Sequence, residues 1–308
     1  MSPHLPEALA DSLHDAFGRW GSDLHGLAYA MGFRIIQHFL GDAWTNANVR
    51  LHSQPSRFML NEFDELSDNR FVHMERVTRL ADALFRLMGC AGFEVLTNRF
   101  QQRDAKSCFY EAEVASDFVE DGFNVQILEE RGKRGSDFDF VAKRDGVIIN
   151  VEVTAKDTEI PSEDTFYSTL KSKRTQVPQD APAILYVFLP PSWPKNQQAM
   201  MHATTVGAAR FFRGSQRFNA VVVLWDVMLS LGEGMVTACA FHPFLHSNPR
   251  HAMPSLSFFG RMRPENSVQY FRDRLHASPE GARQSLGENP FNPPLAYVTW
   301  VLAQRRVI

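Results

Sequence analysis

Residues 135–156, GSDFDFVAKRDGVIINVEVTAK, decide how this chain folds. Asp139 lies at the end of one short apolar run. Glu152, thirteen residues later, sits inside another run, Val147 to Val153, with Lys156 shortly after. Asp145-Gly146 is a two-residue turn signal between the runs, so the pair reads as a β-hairpin. On the second strand the side chains alternate: Ile148, Asn150, Glu152, Thr154 and Lys156 share one face, and Val147, Ile149, Val151 and Val153 the other. A strand buried on one face thus presents a carboxylate and a lysine at four-residue spacing. With Asp139 alongside, two carboxylates can converge on one hard cation, which is how oxygen-ligand Mg²⁺ sites are built.

Upstream, residues 109–125, FYEAEVASDFVEDGFNV, read as a helix that ends before a Gly-Phe pair opening a first strand. At helical spacing Ala112, Val114, Ala115, Phe118 and Val119 cluster on one side. Glu111 falls near the middle of that apolar arc, whereas Glu113 points away, beside Asp117 and Glu120. A carboxylate inside an apolar stripe is costly unless it meets a partner or a metal, so Glu111 is the preferred helical carboxylate. Its plain alternative is a first-turn residue favoured by the helix dipole.

These three elements, in this order, resemble the PD-(D/E)xK nuclease superfamily, the restriction-endonuclease-like fold. The resemblance covers roughly residues 108–190. Two positions depart from its pattern: Phe138 stands where proline is usual, and Thr154 where the family places its lysine. Lys156 lies one step further on the same face, about 6.6 Å along the strand, and its four-carbon stem can bring the ammonium back. The resemblance implies a central mixed sheet flanked by helices. It also implies a metal-dependent endonuclease that hydrolyses phosphodiester bonds of nucleic acid, DNA above all, in a prokaryotic restriction or defence setting. Asp139 and Glu152 would hold Mg²⁺, with Mn²⁺ able to substitute. The backbone carbonyl of Val153 would complete the shell, and Glu111 would ligate directly, through water or through a second ion. Lys156 would orient the attacking water or stabilise charge on the phosphate. The alternative implied by Thr154 is a catalytically inactive nuclease-like fold that serves as a nucleic-acid- or protein-binding scaffold. A hydrolase of small nucleotides using the same carboxylates stays open, as does a homodimer or a partner subunit.

Length and composition agree with a well-packed globular protein. The 308 residues suffice for one large or two ordinary domains, and 44% are hydrophobic with 12% aromatic. No run approaches the ~18 apolar residues of a membrane span, and the N-terminus, with Pro3, His4 and Glu7, lacks a basic-then-apolar secretion signal. Cys90, Cys108 and Cys239 are widely spaced, which favours a reducing cytoplasm over a disulfide framework. The net charge of −3 hides an asymmetry. Residues 1–130 carry 11 Lys/Arg against 20 Asp/Glu, and residues 131–308 carry 21 against 15. A basic portion coinciding with the hairpin suits a phosphate-rich substrate.

The expected organisation is a helical domain or subdomain over 1–100 and an α/β (α+β) core over 101–308 that includes a C-terminal extension. Helical patterns run over 5–46 and 71–90, with an irregular stretch at 47–70. After the hairpin come a helix at 163–176, a buried strand at 183–189, a helix at 196–213 and a buried strand at 220–225. Residues 250–308 look irregular. Cys239, His242, His246 and His251 offer ligand types for zinc, but their spacing fits no common finger, and Pro243, Pro249 and Pro254 suggest a loop. The Arg131-Gly-Lys-Arg134 turn reads as a solvated loop or a phosphate contact. Tyr167 and Gln176 read first as helix-surface residues. No P-loop, dinucleotide fingerprint or Gly-x-Ser-x-Gly nucleophile motif occurs.

Overall fold

A computed structural model describes residues 24–49, 69–130, 137–231 and 234–253, with a few isolated positions beside them. The described residues form two compact units. One comprises the residues up to Gly89 together with Arg99–Ala105, and the other Cys90–Asn98 and the residues from Lys106 onward. In the first unit, helices α1 (Leu24–Asn48) and α2 (Asn69–Leu87) pack closely, with Gly32 set against Val77 and Ala81. Trp44 in α1 donates its indole N–H to the Phe100 carbonyl at 2.7 Å.

The second unit is α+β. Helix α3 (Phe93–Gln102) begins in it, and α4 (Ala105–Glu120) leads into β1 (Asn124–Ile127), β2 (Phe140–Arg144) and β3 (Val147–Ala155). Then follow α5 (Glu163–Lys173), β4 (Ala183–Phe188), α6 (Gln197–Gly214), β5 (Ala220–Leu231) and β6 (Gly234–Leu245). The six strands make one mixed sheet in the order β1-β2-β3-β4-β5-β6. Pairs β1/β2, β2/β3 and β5/β6 are antiparallel, and β3/β4 and β4/β5 are parallel.

Connection chemistry accounts for that mixture. Asp145 (φ 51) and Gly146 (φ 79) both take the left-handed conformation of a type I′ turn, which sets Arg144 opposite Val147. Parallel neighbours need a crossover, and α5 and α6 supply the two crossovers. Both helices lie on one face, where Phe166, Leu170, Ala203 and Phe211 pack with Leu185, Val187, Val221 and Val223. The opposite face receives α4: Tyr110 stacks on Phe188 at 3.6 Å, and Phe118 meets Phe140 and Tyr186 edge-on.

Three expectations change. From Ile149 to Val153, β3 is buried on both faces, because helices cover both sides of the sheet and leave no solvated face. Residues 239–245, expected as a loop on account of Pro243, lie in β6. There Pro243 pairs with Val222 on a strand at the edge of the sheet, where a missing N–H is tolerated. Strand β5 also runs six residues past its expected end at 225. Most of the 5–23 pattern, the 50–68 stretch, most of the Arg131–Arg134 turn and residues 254–308 fall outside the described residues. No helix among the described residues is long and apolar enough to cross a membrane.

Candidate active site

Asp139 is the residue just before β2, and backbone bonds hold it from both sides. Its N–H donates to the Val151 carbonyl at 3.2 Å, and its own carbonyl accepts from Leu128 at 3.0 Å. Its carboxylate, 6% exposed, accepts the Val153 N–H at 2.6 Å through Oδ2. The charge-assisted bond fixes the rotamer and points Asp139 at the centre of β3. Val153 is buried, with its amide committed to that contact.

Glu152 sits opposite Leu185 on β4, on the face covered by α5 and α6. It is 2% exposed. One oxygen, Oε1, is 2.7 Å from the ammonium of Lys173, and the other, Oε2, is buried without a hydrogen-bond partner among the described residues. Burial, then the charge of Asp139, drive this carboxyl well above the ordinary range; Lys173 opposes the shift and Glu111 adds to it. Glu111, in the first half of α4, is itself buried, whereas Glu113 is half-buried. The three carboxyls therefore share one field although they come from α4, the residue before β2 and the middle of β3.

The lysine in that field is Lys173, in the last turn of α5. Burial works against its charge, but Glu152, through charge and hydrogen bond, then Asp139 and Glu111, outweigh burial and raise its pKa. Ser162 caps α5 by accepting from Thr165 N–H, and from there Thr165, Thr169 and Lys173 follow at four-residue steps along one helix face. That row is the available signal for Lys173. Without it, the sequence marks the residue only as one of several basic groups on a helix.

Lys156 is placed differently. It is 5% exposed, donates to the Thr169 hydroxyl at 3.2 Å and lies 5.7 Å from the centroid of the Trp193 ring. Its pKa is lowered, by burial first, with Asp157 partly offsetting. Thr154 is half-buried and faces Val187. Asn150 Nδ2 on the Glu152 face of β3 and Gln176 Oε1 just beyond α5 are likewise buried without a hydrogen-bond partner among the described residues. Tyr167 lies against the guanidinium of Arg210 at 4.1 Å.

The zinc ligand types are not assembled. His246 contacts the Ser215 carbonyl and His251 the Gln179 carbonyl, while Cys239 and His242 lie on β6. Among the described residues no group of three or more His, Cys, Asp or Glu stands close enough to hold a metal ion as placed. Shared field and shared coordination differ, because charge interactions reach well past ligand distances. A hard divalent cation nonetheless fits the donor set. Among the described residues Glu152 Oε2 is a buried oxygen with no hydrogen-bond partner, Asp139 shares its field, and Lys173 supplies positive charge that a cation would replace.

No family model matches the chain, and no curated protein matches it. A solved structure, that of Pyrococcus furiosus SfsA in complex with Ca²⁺, matches over 42% of this chain and 59% of its own. The identity is 11% and the TM-score 0.22. The match spans less than two thirds of that protein, and a likeness of this size fixes neither family nor activity here.

Proposed function

We propose that the chain is a divalent-metal-dependent phosphodiesterase of the PD-(D/E)xK type acting on nucleic acid, with DNA as its substrate. The observation that carries this reading is the buried oxygen of Glu152 that has no hydrogen-bond partner among the described residues and lies in the field of Asp139. An unpaired buried carboxylate oxygen is expensive, and a bound Mg²⁺ would remove that cost. Asp139 and Glu152 would hold the ion, the Val153 carbonyl would complete the set, and Glu111 would act directly or through water. When bound, the ion supplies Lewis acidity toward the scissile phosphate and lowers the pKa of an attacking water. The remaining work belongs to the chain. The Val153 N–H keeps Asp139 in position, α4 brings a third negative charge, and Lys173 is the ammonium available to stabilise charge developing on the phosphate. Purified protein with Mg²⁺ or Mn²⁺ should nick plasmid DNA, and Asp139→Ala should abolish the reaction. Equal cleavage by that variant overturns the assignment.

The Lys173 ammonium on Glu152 favours a second reading, that of a nuclease-like scaffold that binds nucleic acid or protein without cleaving. In it the ion pair is the permanent occupant of the site. Calorimetric titration with Mg²⁺ separates the two: a scaffold takes up no ion, whereas the enzyme binds it.

A further inference from the structure

Buried lysines almost always face a carboxylate, since an ammonium removed from water needs a countercharge. Lys173 obeys that rule and Lys156 does not. At 5% exposure, Lys156 has one hydrogen-bond partner among the described residues, the Thr169 hydroxyl. That hydroxyl spends its own proton on the Thr165 carbonyl at 3.0 Å, so it can serve Lys156 only as an acceptor. The acidic neighbour, Asp157, has an exposed side chain already engaged by Lys106 at 3.3 Å. The other support is the face of Trp193, which attracts a cation but accepts no conventional hydrogen bond. Two of the three ammonium protons thus lack an acceptor among the described residues.

The surroundings are built rather than loose. Trp193 is fully buried and donates its indole N–H to the Thr158 carbonyl at 2.7 Å, and Ser192 donates to the Glu159 carbonyl at 2.7 Å. Both bonds tie down the segment that follows Lys156. Thr169 is one turn before Lys173 on α5, so a single helix face sets Lys173 against Glu152 and Thr169 against Lys156.

We propose that Lys156 is a phosphate subsite for the nucleic-acid strand, four residues beyond Glu152 in the direction of β3 and held by Thr169 and Trp193 outside the field of the three carboxyls. The unfilled donors suit the acceptor-only oxygens of a phosphodiester. A bound phosphate would also restore the charged form that burial disfavours. The proposal rests on the nucleic-acid reading above, which its test keeps separable.

The variant is Lys156→Met, which keeps the stem packed on Trp193 and removes the charge. Binding of a labelled DNA duplex is measured in EDTA, so that no cleavage occurs, over a salt series. The slope of log Kd against log salt should fall by about one, the loss of one phosphate contact. Thermal stability should be unchanged or higher, because an apolar replacement for a buried charge folds well. In parallel, the Lys156 Nζ resonance, assigned by its loss in the variant, should shift on titration with inorganic phosphate. An unchanged slope together with an unmoved resonance overturns the subsite, including the case in which the variant is merely more stable. If plasmid is never cleaved but the resonance answers to phosphate, the cleavage reading fails and the anion subsite stands.

Discussion

Two lysines meet along one face of α5, Lys173 projecting from it and Lys156 packed onto it, and their charges have opposite fates. Lys173 meets Glu152 within the field of Asp139 and Glu111, and its ammonium is reinforced. Lys156 meets a hydroxyl and an indole face, and its ammonium is weakened. Burial pushes both the same way. The difference comes from the countercharge alone, which is why distance in sequence from the acidic motif is a poor guide to which lysine serves it.

Removing the carboxylate anchor should have the largest effect. Asp139→Ala is expected to lower metal-dependent cleavage by about 10³-fold or more, read as initial rates on plasmid. Lys173→Met should cost about 10²-fold in kcat, the usual loss of one preorganised charge donor. If Lys173→Met cleaves normally and Lys156→Met does not, the contrast between the two lysines is reversed.

The acid–base side of the contrast is read from stability. Glu152 keeps its proton in the folded chain at pH values where an unfolded glutamate has lost it. Its contribution is therefore full below the ordinary value of 4.5 and drains away as pH rises toward the folded pKa. The raised pKa of Lys173 matters only above its ordinary 10.5. Metal-free melting temperature should thus decline as the pH rises above the ordinary glutamate value. Each tenfold gain in proton affinity on folding is worth about 1.4 kcal/mol, which sets the scale of the decline. Glu152→Gln should flatten it, and an identical slope in the variant removes the argument.

The helix carrying both contacts offers a smaller test. A Cβ added at Gly207 in α6 would stand 2.7 Å from the Phe166 ring and 3.3 Å from the Glu163 carbonyl and the Tyr167 nitrogen, all on α5. Gly207→Ala should cost about 1–3 kcal/mol by chemical denaturation. Cleavage and the Lys156 phosphate response should fall together, because both depend on where α5 lies. Smallest is Gly146→Ala, where no atom is crowded but φ is +79. It should cost about 1 kcal/mol through backbone strain alone and leave both lysine sites working.

Much of the sheet was legible because its signals are local. Asp145-Gly146 specifies its turn, the unbroken apolar run of β4 announces a strand covered on both sides, and Ser162 marks the start of α5. Pro243 misled, since a proline rule for central strands does not hold at an edge, and edge position is a tertiary fact. At the site, Asp139, Glu152 and Glu111 could be picked out by chemistry and periodicity, and the structure gives all three one shared field. The lysine on Glu152 could not. Its link spans 21 residues of sequence and depends on α5 returning antiparallel to β3, which no spacing rule on the strand encodes.

Lys173 belongs to the final turn of its helix, with the Gln176 N–H closing onto its carbonyl at 3.1 Å. Terminal turns are the first part of a helix to open, at a small fraction of the global unfolding free energy. The carboxylates ride on strands and on a different helix, so such fraying uncovers negative charge without disturbing the sheet. Charge compensation in this site is therefore tied to a terminal turn of α5, which opens more easily than the helix interior. The exchange rates of the amides around residues 173–176 offer a direct gauge of how often Glu152 stands uncompensated.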